Sequence, residues 1–215
     1  MPANPNRSNP GLSAGPRATS EVSSSTSDTP RRAFLKSGTG LTVVGVSAVA
    51  GVGYLLHRPG NDRQLVFGTL TDAMKEVERL AGAAVKPLMP ATAWNWSQTL
   101  EHCAQSIEFS LQGFPAPKSA LFQNTLGAAA FNVFAMRGRM SHNLTEPIPG
   151  APELDASTPD ATGALARLRN AVHNFATHAG PLHPHFAYGA LSRAQYEKAH
   201  AMHLANHLSA FDVQG

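Results

Sequence analysis

From Leu65 to the C-terminus the large apolar residues recur three and four positions apart, and nowhere do they alternate with polar residues for long enough to mark a strand. That period gathers them on one side of an α-helix. A chain built this way must bury helical stripes against one another, and an antiparallel helical bundle is the natural solution. The spacing predicts helices over residues 72–84, 97–111, 119–140, 161–178 and 192–211. Thr71, Ser97 and Ser192 are their expected N-caps, with Ser97 alternatively in the first turn. Lys86-Pro87 and the Gly113–Pro115 pair act as stops. The 119–140 segment is apolar nearly all round, with Leu121, Phe122, Leu126, Phe131, Val133 and Phe134, so it is expected to be central and buried. Residues 141–160 and 179–191 connect the helices, and ordered loops of that length are often functional.

The N-terminal part has a different character. Residues 1–30 are rich in Pro, Ser, Asn and Gly and poor in large apolar side chains, so they cannot bury enough surface to offset their ordering entropy and are expected to be disordered. The net charge of +3 comes from this end: six of the 17 Lys and Arg precede Pro59, against only Glu21 and Asp28. The remaining residues, expected as one domain over 61–215, sit near −1 and offer no basic face to nucleic acid. The single cysteine, Cys103, excludes an intramolecular disulfide and reads as a small buried hydrophobe.

Between these parts lies Thr29-Pro30-Arg31-Arg32-Ala33-Phe34-Leu35-Lys36, which resembles the twin-arginine export signal. The paired arginines, Phe34, Leu35 and Lys36 match; Pro30 stands where Ser or Thr is usual. A mildly apolar, glycine-rich stretch of about 19 residues follows, from Gly38 to Leu56, as an export signal requires. The same stretch is close to the length that spans a bilayer. Residues 31–58 are therefore expected to be a twin-arginine signal, either cleaved or kept as a membrane anchor. The resemblance implies the twin-arginine translocation machinery as a partner, a periplasmic location, and a domain exported already folded.

All histidines but His57 lie after residue 100. On the last helix Tyr196, His203 and His207 fall within about 40° of one another, and His200 within about 60° of His203. Leu204, Leu208 and Phe211 lie beside them, so these histidines edge the inward stripe. His203 and His207 have the i, i+4 spacing that can put two imidazoles on one ion. Leu204 occupies the position where zinc proteases carry their glutamate, which removes that reading. His173 and His178 read as surface or boundary residues and His142 as a loop residue. His183 and His185, flanking Pro184, either border a pocket or belong to the loop alone.

The run Trp96-Ser-Gln-Thr-Leu-Glu-His102-Cys-Ala-Gln-Ser-Ile107, together with His203-Leu-Ala-Asn-His207-Leu-Ser-Ala-Phe211 and Leu182-His183-Pro184-His185-Phe186, resembles the DinB-like superfamily over roughly residues 65–215. More narrowly, it is similar to an exported branch of unknown function. The resemblance implies an all-α fold, an antiparallel four-helix bundle with an additional helix or long loops. It also implies a divalent metal ion (zinc, nickel or iron) held by His102, His203 and His207. The periodicity of the second helix argues the other way for His102, which lies about 140–180° from the Leu100, Ile107, Leu111 stripe. Either that helix is buried on two sides or His102 faces water.

Three neutral histidines leave an open position for water or a small-molecule ligand. The implied functions are a metal-dependent hydrolase or transferase, with the ion acting as Lewis acid or activating water, or a non-catalytic bundle that binds a metal or small ligand. A carboxylate near the open position would favour the enzyme, and an all-apolar pocket the binder. Glu101, Glu108, Tyr188 and Tyr196 are the acid or base candidates nearest in sequence. His200 is a fourth ligand, a partner that orients a ligand, or packing.

Overall fold

The computed structural model describes residues 63–88, 94–155 and 160–214. The expected disordered region, the twin-arginine segment and the apolar stretch 38–56 lie outside them. Among the described residues no helix is long and apolar enough to cross a membrane.

Helix α1 (Leu70–Ala81) begins two residues before its expected start. Thr69, not Thr71, is the cap: its hydroxyl accepts from the Asp72 N–H at 3.1 Å. Leu70 thereby joins Ala73, Val77 and Leu80 on the buried stripe. The helix ends at Gly82, and the chain enters a short strand, β1 (Val85–Pro87). Helix α2 (Trp96–Gln112) opens with a capping box in which Asn95 and Gln98 satisfy each other's backbone N–H. Ser97 is thus in the first turn. Gly113, at φ +99°, stops the helix in a conformation that side chains resist.

The 119–140 segment departs most from expectation. Helix α3 (Ala120–Phe122), a π-helical turn (Gln123–Gly127) and α4 (Ala128–Arg137) follow one another without a break. This is not the central helix. Phe131 and Phe134 pack with Met140, Ala199 and Met202 in a small satellite core, while Leu121, Leu126 and Met136 are exposed. A helix at the edge of the fold needs only one buried side, and the π turn rotates the faces on either side of it. Gly138, in the left-handed region at φ +68°, ends α4.

Helix α5 (Thr162–Thr177) lies along α2, and α6 (Arg193–Leu208), opened by the Ser192–Gln195 capping box, packs on α1 and α2. The main core is shared by these four helices: Val77 and Leu80 of α1, Leu100 and Ile107 of α2, Leu168 and Phe175 of α5, and Leu204 and Leu208 of α6. Burial of each such side chain contributes about 1.5–3 kcal/mol. Cys103 is in the same core at 1% exposure, and burial pushes its thiol pKa up. Arg167 of α5 bridges Glu101 and Glu108 on α2, fixing the register of the pair.

Helix α6 ends at Leu208, short of the expected Phe211. Phe211 instead starts β2 (Phe211–Val213), antiparallel to β1 with Val85 opposite Val213 and Pro87 opposite Phe211. Three-residue strands are too short to show an alternation in sequence. The ladder ties the segment after α1 to the last strand, and nearby Leu65 N–H donates to Ser209 Oγ at 2.9 Å.

Candidate metal centre

Helix α2 is buried on two sides. Leu100, Ala104 and Ile107 face the main core, while His102, Gln105 and Ser106 on its other face are also covered. That resolves the periodicity conflict: His102 is 2% exposed. The second face is sealed by α6 and by the 138–155 connection, whose Pro152 carbonyl accepts from Gln105 Nε2 at 3.1 Å. A stripe of leucines on one face gives no warning that a helix has a second buried face made of polar residues.

His203 and His207 project from adjacent turns of α6 toward His102. The Nε2 of His203 is 3.1 Å from the Nε2 of His102 and 3.1 Å from the Nε2 of His207. One ligand atom from each residue lies within 4.8 Å of the other two. His207 is 2% exposed, and His203 is half-buried because its ring lines a cavity. The Trp94 ring covers His102 at 4.6 Å between centroids and His207 at 6.1 Å.

Burial dominates the electrostatics. It pushes the pKa of His102 down to about 3, and those of His203 and His207 well below the ordinary value, with the neighbouring imidazoles adding to the effect. All three are neutral at physiological pH, so their lone pairs are free to bind. A neutral imidazole nitrogen has one hydrogen or one lone pair, never both. The Nε2 of His203 therefore cannot satisfy two imidazole neighbours well at once. Ligands 2.0–2.1 Å from one tetrahedral ion stand roughly 3.3 Å apart, close to the spacing observed. The donor set fits a divalent metal. One feature is left unsatisfied: the Nδ1 of His102 is buried without a hydrogen-bond partner.

Sequence reasoning missed His142. It follows the α4 terminus in the loop, half-buried, with its ring centroid 5.1 Å from that of His203 and 5.0 Å from that of His207. Its Nδ1 is 3.0 Å from the Asn143 carbonyl. Burial pushes its pKa down, against the opposing pull of that carbonyl and of Glu146. A lone loop histidine carries no periodic signal that could have placed it here.

The cavity beside the triad has a volume of about 140 Å³. His102, His142, Glu146, His185, Tyr188, His200 and His203 line it, together with apolar groups from Met140, Ile148 and Phe186. The acid and base candidates divide. Glu101 and Glu108 pair with Arg167 and do not line the cavity, because their side of α2 turns toward α5. Tyr196 is fully buried with its hydroxyl donating to the His183 carbonyl. Only Tyr188 reaches the cavity, joined by Glu146, a carboxylate from the long loop. His200 is held by Ser110, 3.3 Å from its Nε2, and is not one of the converging set. His185 lines the cavity while His183 is exposed away from it. His173 is exposed and His178 half-buried, as expected.

Comparison with known proteins gives a match over residues 60–214 to the family described as protein of unknown function (DUF1569). No curated protein and no solved structure matches. With most of its length covered by that match, the chain belongs to the DUF1569 family.

Proposed function

We propose that the domain is a DinB-like four-helix bundle that binds one divalent metal through His102, His203 and His207. The observation that carries this reading is the convergence of the Nε2 atoms of three neutral imidazoles, with two spacings of 3.1 Å, beside a cavity that His102 and His203 line. Bound there, zinc, nickel or iron(II) supplies Lewis acidity next to space for a small molecule. His102 comes from α2 and the other two from α6, so the ligands bridge two helices that share the main core and are held in place by it. Glu146 on the cavity wall favours a metal-dependent hydrolase or transferase over a non-catalytic binder. It can hold or move a proton at the cavity mouth.

Cobalt(II) titration of metal-free protein tests the donor set. A saturable visible spectrum at one ion per chain is expected, lost in His102→Ala. Retention of the full spectrum in that variant would remove His102 from the site.

The twin-arginine motif supports export of the folded domain, periplasmic residence, and either cleavage or anchoring through residues 38–56. Loading a metal before export is one use of that route. A reporter fused to the full chain should be exported, and Arg31→Lys with Arg32→Lys should hold it in the cytoplasm. Export of the double variant through the general secretory route would sink this part of the reading.

A further inference from the structure

Two cavity-lining histidines outside the triad have their protons fixed by the protein. The turn from His185 to Gly189 is closed by reciprocal backbone bonds, His185 N–H to Gly189 O at 2.8 Å and Gly189 N–H to His185 O at 3.0 Å. Gly189 sits at φ +74°, where a side chain would be strained. Inside this turn the Nδ1 of His185 accepts from the N–H groups of Ala187 at 3.1 Å and Tyr188 at 3.2 Å. A nitrogen that accepts from two N–H groups carries no hydrogen, so the ring proton is on Nε2. The ring cannot turn to escape this assignment. Tyr188 stacks on it at 4.2 Å and 8°, and Phe186 and Phe114 press on it at 4.6 and 4.9 Å. His185 is 8% exposed, and its Nε2–H has no acceptor among the described residues.

His200 has the opposite polarity toward the cavity. The Ser110 hydroxyl donates to the Ile107 carbonyl at 2.6 Å, which uses its only hydrogen. At 3.3 Å from His200 Nε2 it can then only accept, so that nitrogen bears the proton. The Nδ1 of His200 is left as a lone pair with no donor among the described residues. Neither free nitrogen is sealed inside packed protein, and both rings line the same cavity. Burial pushes both pKa values down to about 3, so neither ring is charged at physiological pH.

We propose that His185 and His200 form a neutral donor–acceptor pair that recognises a small uncharged amide, its carbonyl oxygen accepting from His185 Nε2 and its N–H donating to His200 Nδ1. This deepens the proposed function, and rests on it only in taking the cavity beside the triad as the ligand site. Recognition itself uses no metal. An amide carries both complementary groups and no charge. A carboxylate of the same size would find no cation in either ring and would face the His200 lone pair. Lys118 also lines the cavity, but it is exposed and shares the lining with the oppositely charged Glu146. The volume of about 140 Å³ exceeds what a single water needs and suits a ligand of a few heavy atoms.

The test uses full-length protein with ¹⁵N-labelled histidine, both chelated and metal-loaded. Long-range ¹⁵N–¹H spectra should show His185 and His200 as Nε2–H tautomers. Acetamide should shift His185 Nε2 and His200 Nδ1 in both preparations, and sodium acetate at equal concentration should shift neither in the chelated protein, where no ion can hold the carboxylate. His185→Phe should weaken acetamide binding about tenfold, the loss of one ligand hydrogen bond, while His185→Gln, which keeps an N–H donor, should retain it within about threefold. In chelated protein, acetate binding as well as acetamide, an Nδ1–H tautomer at His185, or the absence of an acetamide shift would each overturn the proposal. A protein that takes up no metal yet binds acetamide would overturn the metal reading and leave this one standing.

Discussion

His207→Leu separates a metal centre from a packing cluster, because only a metal centre makes the effect depend on whether the ion is present. In wild type without an ion, the Nε2 of His203 lies 3.1 Å from both neighbouring Nε2 atoms and can pair properly with only one. An unsatisfied buried polar contact of this kind costs about 1–3 kcal/mol. Leucine at position 207, a site only 2% exposed, removes the conflict and keeps an apolar side chain in place. It gives up the ring contact with Trp94, worth about 0.5–1.5 kcal/mol in an aromatic pair, while the contacts with His102 and His203 belong to the conflict itself. The net effect in chelated protein therefore lies between about 0.5 kcal/mol against the variant and about 2.5 kcal/mol in its favour. At about 2–4 °C per kcal/mol for a chain of this size, the variant should melt between roughly 2 °C below wild type and roughly 10 °C above it. With metal at a hundred times its Kd, wild type gains about 2.7 kcal/mol by mass action and the variant gains nothing. With metal, wild type should melt above the variant. Thermal melts followed by circular dichroism, with EDTA and with added zinc, read this directly. If His207→Leu lowers the melting temperature by the same amount in both conditions, the imidazoles are packing groups and the reasoning fails.

Gly127→Ala should damage the cavity wall, since a Cβ there would sit 1.9 Å from the Ala187 carbonyl oxygen of the His185 turn. A backbone atom has little room to yield, so destabilisation of at least 1–3 kcal/mol is expected, and an unchanged urea midpoint would contradict the packing of the π turn on that loop. Acid should unfold the protein early. The folded-state pKa values of His185 and His200 are pushed down to about 3, while the unfolded chain titrates near the ordinary value. The unfolded state then binds more protons, so stability is intact above about pH 6.5 and falls toward pH 3, by about 1.4 kcal/mol per pH unit for each ring. In chelated protein His200→Phe should reduce the slope of unfolding free energy against pH by about one proton, and an unchanged slope would contradict burial of a neutral ring. Arg167→Met should cost about 1 kcal/mol, less in high salt, because the partly exposed Glu101 and Glu108 lose their shared partner.

Long, strongly periodic features were legible in the sequence. The stripes of α1, α2, α5 and α6 are where the spacing of leucines and alanines puts them, and Ser192 caps α6 as its position suggests. Short or two-sided features were not. The β1–β2 pair spans three residues on each side, below the length at which alternation differs from chance. The edge position of α3 and α4 depends on which neighbours cover them, and a helix apolar all round states only that it could be buried. At the site, the i, i+4 spacing of His203 and His207 identified the pair on one helix. The burial of His102 came from a second covered face that its own helical period seemed to deny. His142, Glu146 and the fixed tautomer of His185 depend on loop geometry, which no pattern of residue types encodes.

Metal content of untagged full-length protein, isolated without chelators and measured by elemental mass spectrometry, bears most directly on the central claim. The expected result is close to one divalent ion per chain in wild type and in the His173→Ala control, and close to none in His203→Ala and His207→Ala. Wild type that carries no metal after native loading, or a His203→Ala variant that keeps the full complement, would contradict a centre built from His102, His203 and His207.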